Sequence, residues 1–297
     1  MTKNEFYYNL IKNFEVCTPS LLRDILIHFK IINPLQECPE CIKPMSFNLD
    51  NSKSAGMRYR CASCRRKFEF RRFTVFTDYR MRFEKILLII VLFIEEKTLK
   101  EISDCTNLSL SSVQKLFNFI REKIKCHINE NEPTLGRDRI VEIDETLLAK
   151  RKYNRGRIIE QKWLFGAIER EGGSFILKTI EKRDSDTLGA IIKDFIIDDA
   201  TVYSDMWPAY MSFFSKNRSY SHEAINHSQN FVDPTSNSVH TQTIEALWSQ
   251  LKRFLRKKNL TRHAKIEQYL AEFILRKKYR KLNCCELFVL LMKIINQ

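Results

Sequence analysis

The spacing of apolar and polar positions changes texture along the chain. Between residues 83 and 126 apolar residues recur at helical intervals. Phe83–Glu96 reads as one helix, a second short helix begins at Leu99, and a third opens at a serine cap near Ser111, with Val113, Leu116, Phe117 and Ile120 on one face. The turn Thr106–Leu110 joins the last two as in a helix-turn-helix, with a recognition helix starting near Ser111. A plain helical packing module has the same spacing. The apolar run Ile86–Ile94 is far short of the roughly 20 residues needed to span a bilayer, and reads as a buried helix segment.

Residues 129–139 (NENEPTLGRDR) are polar, with a Pro and a Gly, and mark a domain boundary. Beyond them the period shortens. Ile140–Leu148, Lys162–Glu169 and Phe175–Lys182 are strand-like, Ser185–Ile196 is an amphipathic helix, and Thr201–Asp205 is a fourth strand. A further strand is expected near Ser219–Ile225, then a helix across HTQTIEALWSQLKR. Residues 256–281 read as a helix pair suited to DNA contact, with Tyr269, Leu270, Phe273 and Ile274 as its buried stripe.

Cysteine spacing adds a module upstream. Cys38-Pro-Glu-Cys41 and Cys61-Ala-Ser-Cys64 are paired CxxC motifs, the four-thiolate pattern of a zinc ribbon. Zinc there is structural, since four protein ligands leave no open position. In so small a module it would supply most of the folding free energy, roughly 10–16 kcal/mol in zinc-finger peptides. Cys17, Cys105, Cys126, Cys284 and Cys285 are expected to be small core residues. The expected organisation is an N-terminal helical segment (1–35), a zinc ribbon (36–76), a helix-turn-helix-like DNA-binding module (77–128), an α/β core (138–282) and a C-terminal helix (283–297).

Composition then narrows the partner. Of 297 residues 44% are hydrophobic and 11% aromatic, as in a globular chain, and the net charge is +14. That charge is clustered. Residues 251–281 hold twelve Lys or Arg against two Glu, and residues 58–85 hold ten against three acids. Two basic blocks on an otherwise near-neutral chain point to phosphate contact. Arg65 and Arg66 follow the second cysteine pair, and Lys150, Arg151, Lys152, Arg155 and Arg157 follow the first strand of the core. Arg253 and Arg256 lie beyond the third candidate acid. The N-terminus has no basic start leading into an apolar stretch and cleavage site. The protein is therefore expected not to be secreted: in the nucleus of a eukaryote, or the cytoplasm (nucleoid) of a bacterium.

Three acids carry the candidate chemistry: Asp144 in VEIDE, Asp205 in TVYSDMW and Glu245 in HTQTIEALWSQLKR. The order β-β-β-α-β-α, a later strand and a final acidic helix is that of an RNase H-like mixed-sheet domain, in which the first and fourth strands are neighbours. At about 100° per residue, Ser249, Lys252 and Arg256 fall within about 40° of Glu245, while Ile244, Leu247, Trp248, Leu251, Phe254 and Leu255 occupy the other side. Carboxylates from separate elements suit two Mg²⁺ (or Mn²⁺) ions about 3.5–4 Å apart, which clamp the attacking and leaving oxygens of a phosphodiester displacement. Asp144 would bridge both ions, Asp205 and Glu245 would each complete one, and Lys252 would neutralise phosphate. Glu145 should point to the opposite sheet face from Asp144. Trp207 and Trp248 are assigned to packing.

The stretches VEIDETLLAKRKYNRGR, WLFGAIER, YSDMWPAY, INHSQNFVDP and HTQTIEALWSQLKR resemble the Merlin-type DDE transposases and their bacterial insertion-sequence relatives. The likeness covers nearly the whole chain, including the amino-terminal CxxC knuckle. It implies a triad at Asp144, Asp205 and Glu245, a following basic residue at Lys252, and His227 and His240 near the site. It further implies strand nicking, transfer of a 3′-hydroxyl to target DNA, double-stranded DNA as partner, and at least a dimer bridging two element ends. Three other readings stay open: a domesticated sequence-specific DNA-binding protein, an RNase H-fold nuclease that cuts without joining, and a zinc-ribbon transcription factor.

Overall fold

The structure, a computed structural model, describes residues 2–13, 18–49, 57–148, 162–171, 173–225, 240–258 and 265–297. It divides into two compact units. One comprises Met1–His127 and Tyr279–Gln297, the other Ile128–Lys278. Lys150, Arg151, Lys152, Arg155, Arg157, His227 and Cys17 lie outside the described residues.

In the first unit, α1 (Lys3–Lys12) and α2 (Pro19–His28) precede a sheet of β1 (Met45–Leu49), β2 (Met57–Cys61) and β3 (Lys67–Glu69), paired antiparallel in that order. Then come α3 (Phe83–Ile94), α4 (Leu99–Thr106) and α5 (Leu110–Glu130), and at the end of the chain α10 (Cys284–Asn296). Nine of the twelve residues of α3 are buried, as expected of a helix that is apolar from Ile86 onward. A capping box between Thr98 and Glu101 opens α4, and Asn107 in the left-handed region ends it. The helix expected to open near Ser111 begins at Leu110, with the Ser109 hydroxyl accepting from Ser112 N, and runs on to Glu130. It therefore extends into the polar stretch read as a boundary.

The second unit is built on β4 (Val141–Leu147), β5 (Trp163–Glu169), β6 (Phe175–Ile180), β7 (Thr201–Asp205) and β8 (Ser221–Ile225). Their order is β6-β5-β4-β7-β8; β4 and β6 flank β5 antiparallel, and β7 and β8 run parallel with β4. Both faces are covered, so β4 is buried along almost its whole length. On one face Val141, Ile143, Phe165, Ala167 and Val202 pack with α6 (Ser185–Phe195) and α7 (Pro208–Lys216). On the other, Leu164, Ile168, Phe175 and Leu177 pack with α8 (Gln242–Lys257) and α9 (Ile266–Lys278). This is an RNase H-like mixed sheet.

Within the described part of 256–281, α9 is one helix. Leu270 and Phe273 are buried as expected, joined by Ile266, Ala271, Glu272 and Leu275. The expectation for the unpaired cysteines is corrected: Cys105, Cys126 and Cys284 are exposed. Each lies in a helix (α4, α5 or α10), and a small thiol costs little in water.

Candidate active site

Strand alternation sorts the acids of VEIDE. Ile143 packs toward α6 and α7, so Asp144 and Glu142 face α8. The parallel β4–β7 ladder pairs Val141 with Val202 and Glu142 with Tyr203. Continued by two residues, that register sets Asp144 beside Asp205, on the same face. Asp144 is pushed up to about 7, first by burial, with the like charges of Asp205 and Glu145 adding to it. Its Oδ2 accepts from Trp248 Nε1 at 2.9 Å. Asp205 ends β7, and its Oδ1 accepts from Trp207 N at 3.0 Å, closing the turn into α7.

Glu245 is exposed in the first turn of α8, between Ile244 and Trp248, both buried against the sheet. Lys252, Arg253 and Arg256 are exposed on the same helix. Trp248 packs in the core as expected, and from the flank of the apolar face nearest Glu245 it also reaches Asp144. Room for its indole comes from Gly166, the cross-strand partner of Asp144 on β5. A Cβ built there would meet the Trp248 ring at 2.6 Å.

Glu145 points to the α6/α7 side, where its Oε2 accepts from Arg183 Nη2 at 3.1 Å. The Arg183 guanidinium lies against the rings of Trp163 and Trp207, 4.3 and 4.1 Å from their centroids. Trp207 Nε1 donates to Arg183 O, so this aromatic is tied to the turn after Asp205. Glu142 is wholly buried and accepts from Arg170 Nε at 2.6 Å, Thr243 Oγ1 at 2.8 Å and Ile244 N at 2.9 Å. His240 Nδ1 stands 3.5 Å from the same carboxylate. Sequence reasoning overlooked Glu142 and Arg170; the signal was a second acid two positions before Asp144, on the same strand face.

Among the described residues, only Cys38, Cys41, Cys61 and Cys64 bring their ligand atoms all within 4.8 Å of one another. The three carboxylates are not so close a set. Two ions about 3.5–4 Å apart, each reached at about 2.1 Å, allow ligands on opposite sides to stand roughly 8 Å apart. Asp144 and Asp205 are both partly buried, and the charge of Asp205 bears on Asp144, so the pair fits a site that a cation would relieve. The cysteines fit zinc closely: Cys38 and Cys64 sulfurs are 3.6 Å apart and those of Cys41 and Cys61 3.4 Å. A tetrahedron with Zn–S near 2.3 Å needs about 3.8 Å. Both knuckles turn alike, with Ile42 and Arg65, each just after the second cysteine, in the left-handed region. Arg65 and Arg66 are exposed beside this cluster, and Arg66 pairs with Glu40 at 2.6 Å.

An RNase H-like sheet with one acid midway along its central strand and another at the end of the parallel neighbour defines the class. Residues 136–278 match the model of the ISXO2-like transposase domain. That segment is similar to a DDE transposase domain, which supports a DDE transposase function. Among solved structures, the HTLV-2 integrase catalytic core domain in complex with magnesium (trimeric form) is similar at 16% identity, over 48% of this chain and 88% of that one, with a TM-score of 0.32. The BIV integrase catalytic core domain is similar at 14% identity, over 48% and 86%, with a TM-score of 0.33. Among curated proteins, none matches the chain.

Proposed function

We propose that this chain catalyses metal-dependent DNA strand cleavage and strand transfer, with Asp144, Asp205 and Glu245 as ligands of two Mg²⁺ or Mn²⁺ ions. The observation that carries this reading is the shared face: Asp144 and Asp205 on neighbouring parallel strands, with the helix bearing Glu245 packed across it. When bound, the ions neutralise charge on the attacking and leaving oxygens of an in-line displacement. In cleavage, a water oxygen bonds to phosphorus, the P–O3′ bond breaks and the 3′ oxygen takes up a proton. In joining, that 3′-hydroxyl loses its proton and attacks a target phosphodiester, releasing the target's own 3′ oxygen. One phosphodiester replaces another, so no external energy source is needed.

The chain's own residues orient these steps. Trp248 fixes the Asp144 carboxylate, and the backbone N–H of Trp207 fixes that of Asp205. Exposed Lys252, Arg253 and Arg256 supply cations to the DNA backbone along α8. The cysteine cluster holds structural zinc, with Arg65 and Arg66 as phosphate contacts beside it. Lys150, Arg151, Lys152, Arg155 and Arg157 are assigned to the DNA end on charge alone. The working species is a homo-oligomer holding two element ends, acting wherever the host keeps its DNA.

The test is incubation of the full chain with Mg²⁺ or Mn²⁺ and duplex DNA bearing the inverted repeats that flank its gene. Joined products are the expected result. Cleavage without joining would mark a nuclease, and binding with neither would mark a DNA-binding protein that has lost the reaction.

A further inference from the structure

Helix α8 is capped from an unusual place. Its N-cap residue, Thr241, makes no side-chain capping bond. The acceptor for Ile244 N is instead Oε2 of Glu142, on the central strand, with Thr243 Oγ1 donating to the other oxygen. A Ser or Asp at the N-cap would satisfy Ile244 N at little cost. A wholly buried carboxylate is expensive, and must be held by partners such as Arg170, whose guanidinium also bonds His240 Nδ1 at 3.0 Å and lies 4.6 Å from the Tyr203 ring.

What this arrangement gains is register. Glu142 and Asp144 are alternate residues on one strand face, about 6.6 Å apart along β4. Ile244 and Trp248, the residues they hold, are four apart on α8, about 6 Å along its axis. The two fastenings therefore keep step, and Glu245 lies between them.

We propose that Glu142 is a positioning residue that sets Glu245 against Asp144 by capping α8 from the strand carrying Asp144. This rests on the reading of Asp144, Asp205 and Glu245 as metal ligands. Without the buried carboxylate, α8 keeps its apolar packing but loses its lock to the strand, and the ligand set loosens.

The test is Mn²⁺ binding to the full chain, followed by electron paramagnetic resonance, alongside the melting temperature. Glu142→Gln leaves one acceptor oxygen and puts an amide donor against donors. Its Mn²⁺ affinity should fall about 10–100-fold, as is typical when a group orienting metal ligands is lost. Thr243→Val, a milder change, should fall in the same direction. Glu272, also wholly buried and held by Lys258 at 3.0 Å and Arg276 at 2.9 Å, lies on α9 and serves as control. Glu272→Gln should lower the melting temperature yet leave Mn²⁺ affinity unchanged. Wild-type affinity in both Glu142→Gln and Thr243→Val, or an equal loss in Glu272→Gln, overturns the proposal. If the wild type binds no Mn²⁺, or Asp144→Asn binds it equally well, the metal-site reading fails and this proposal falls with it.

Discussion

Trp248 Nε1 donates to Asp144 Oδ2 at 2.9 Å, across the space left by Gly166. An apolar-face residue of α8 thus orients the acid at the centre of the site, one helical turn after Glu245. A carboxylate oxygen has lone pairs to spare for a metal beyond the one this N–H occupies.

Replacing Trp248 with Phe keeps an aromatic ring and removes the donor. DNA cleavage with Mg²⁺ should fall about 10–100-fold, while the unfolding free energy changes by only about 1 kcal/mol. Cleavage rates and urea denaturation of the same preparation check both halves of this prediction.

Gly166→Ala places a methyl 2.6 and 2.7 Å from the Trp248 ring and 3.1 Å from Ile244 Cδ1. Overpacking of this kind costs about 1–3 kcal/mol. The variant should melt earlier, with altered tryptophan fluorescence, because the indole must shift. An unchanged melt would mean that α8 does not lie this close to the sheet.

His222 Nε2 lies 2.9 Å from Ser204 Oγ, and its ring stacks on Phe214 with centroids 4.0 Å apart. Burial holds it down to about 4, below its ordinary 6.5. Between these values the unfolded chain binds a proton that the folded one refuses. Stability should therefore fall as pH drops from about 6.5 to about 4. His222→Gln should flatten this part of the profile, which chemical denaturation at stepped pH would show.

Metal analysis should find one zinc per chain. Cys61→Ser, or a strong chelator, should remove it and lower the helix and strand content of the amino-terminal unit, visible by circular dichroism. Full native structure in zinc-free protein would contradict this.

Much of this was legible in the sequence because period and spacing are local. The strands carrying Asp144 and Asp205, the amphipathic face of α8 and the CxxC pairs are each set by residues near one another. The networks that hold the site together are not local. The contact of Trp248 with Asp144, and the capping of α8 by Glu142, join residues about a hundred positions apart. Helical angle put Trp248 on the apolar side, which is true, but an indole at the edge of that side carries its N–H to the neighbouring strand. Exposed Cys105, Cys126 and Cys284 were misread because residue type alone says little about which side of a helix meets water.

The central claim is that Asp144 is a metal ligand of a strand-cutting site and makes no contact needed for holding DNA. Cleavage of inverted-repeat DNA by Asp144→Asn, measured beside its DNA affinity, tests it most directly. The account predicts wild-type affinity with no detectable cleavage in Mg²⁺ or Mn²⁺. Cleavage at the wild-type rate would contradict it.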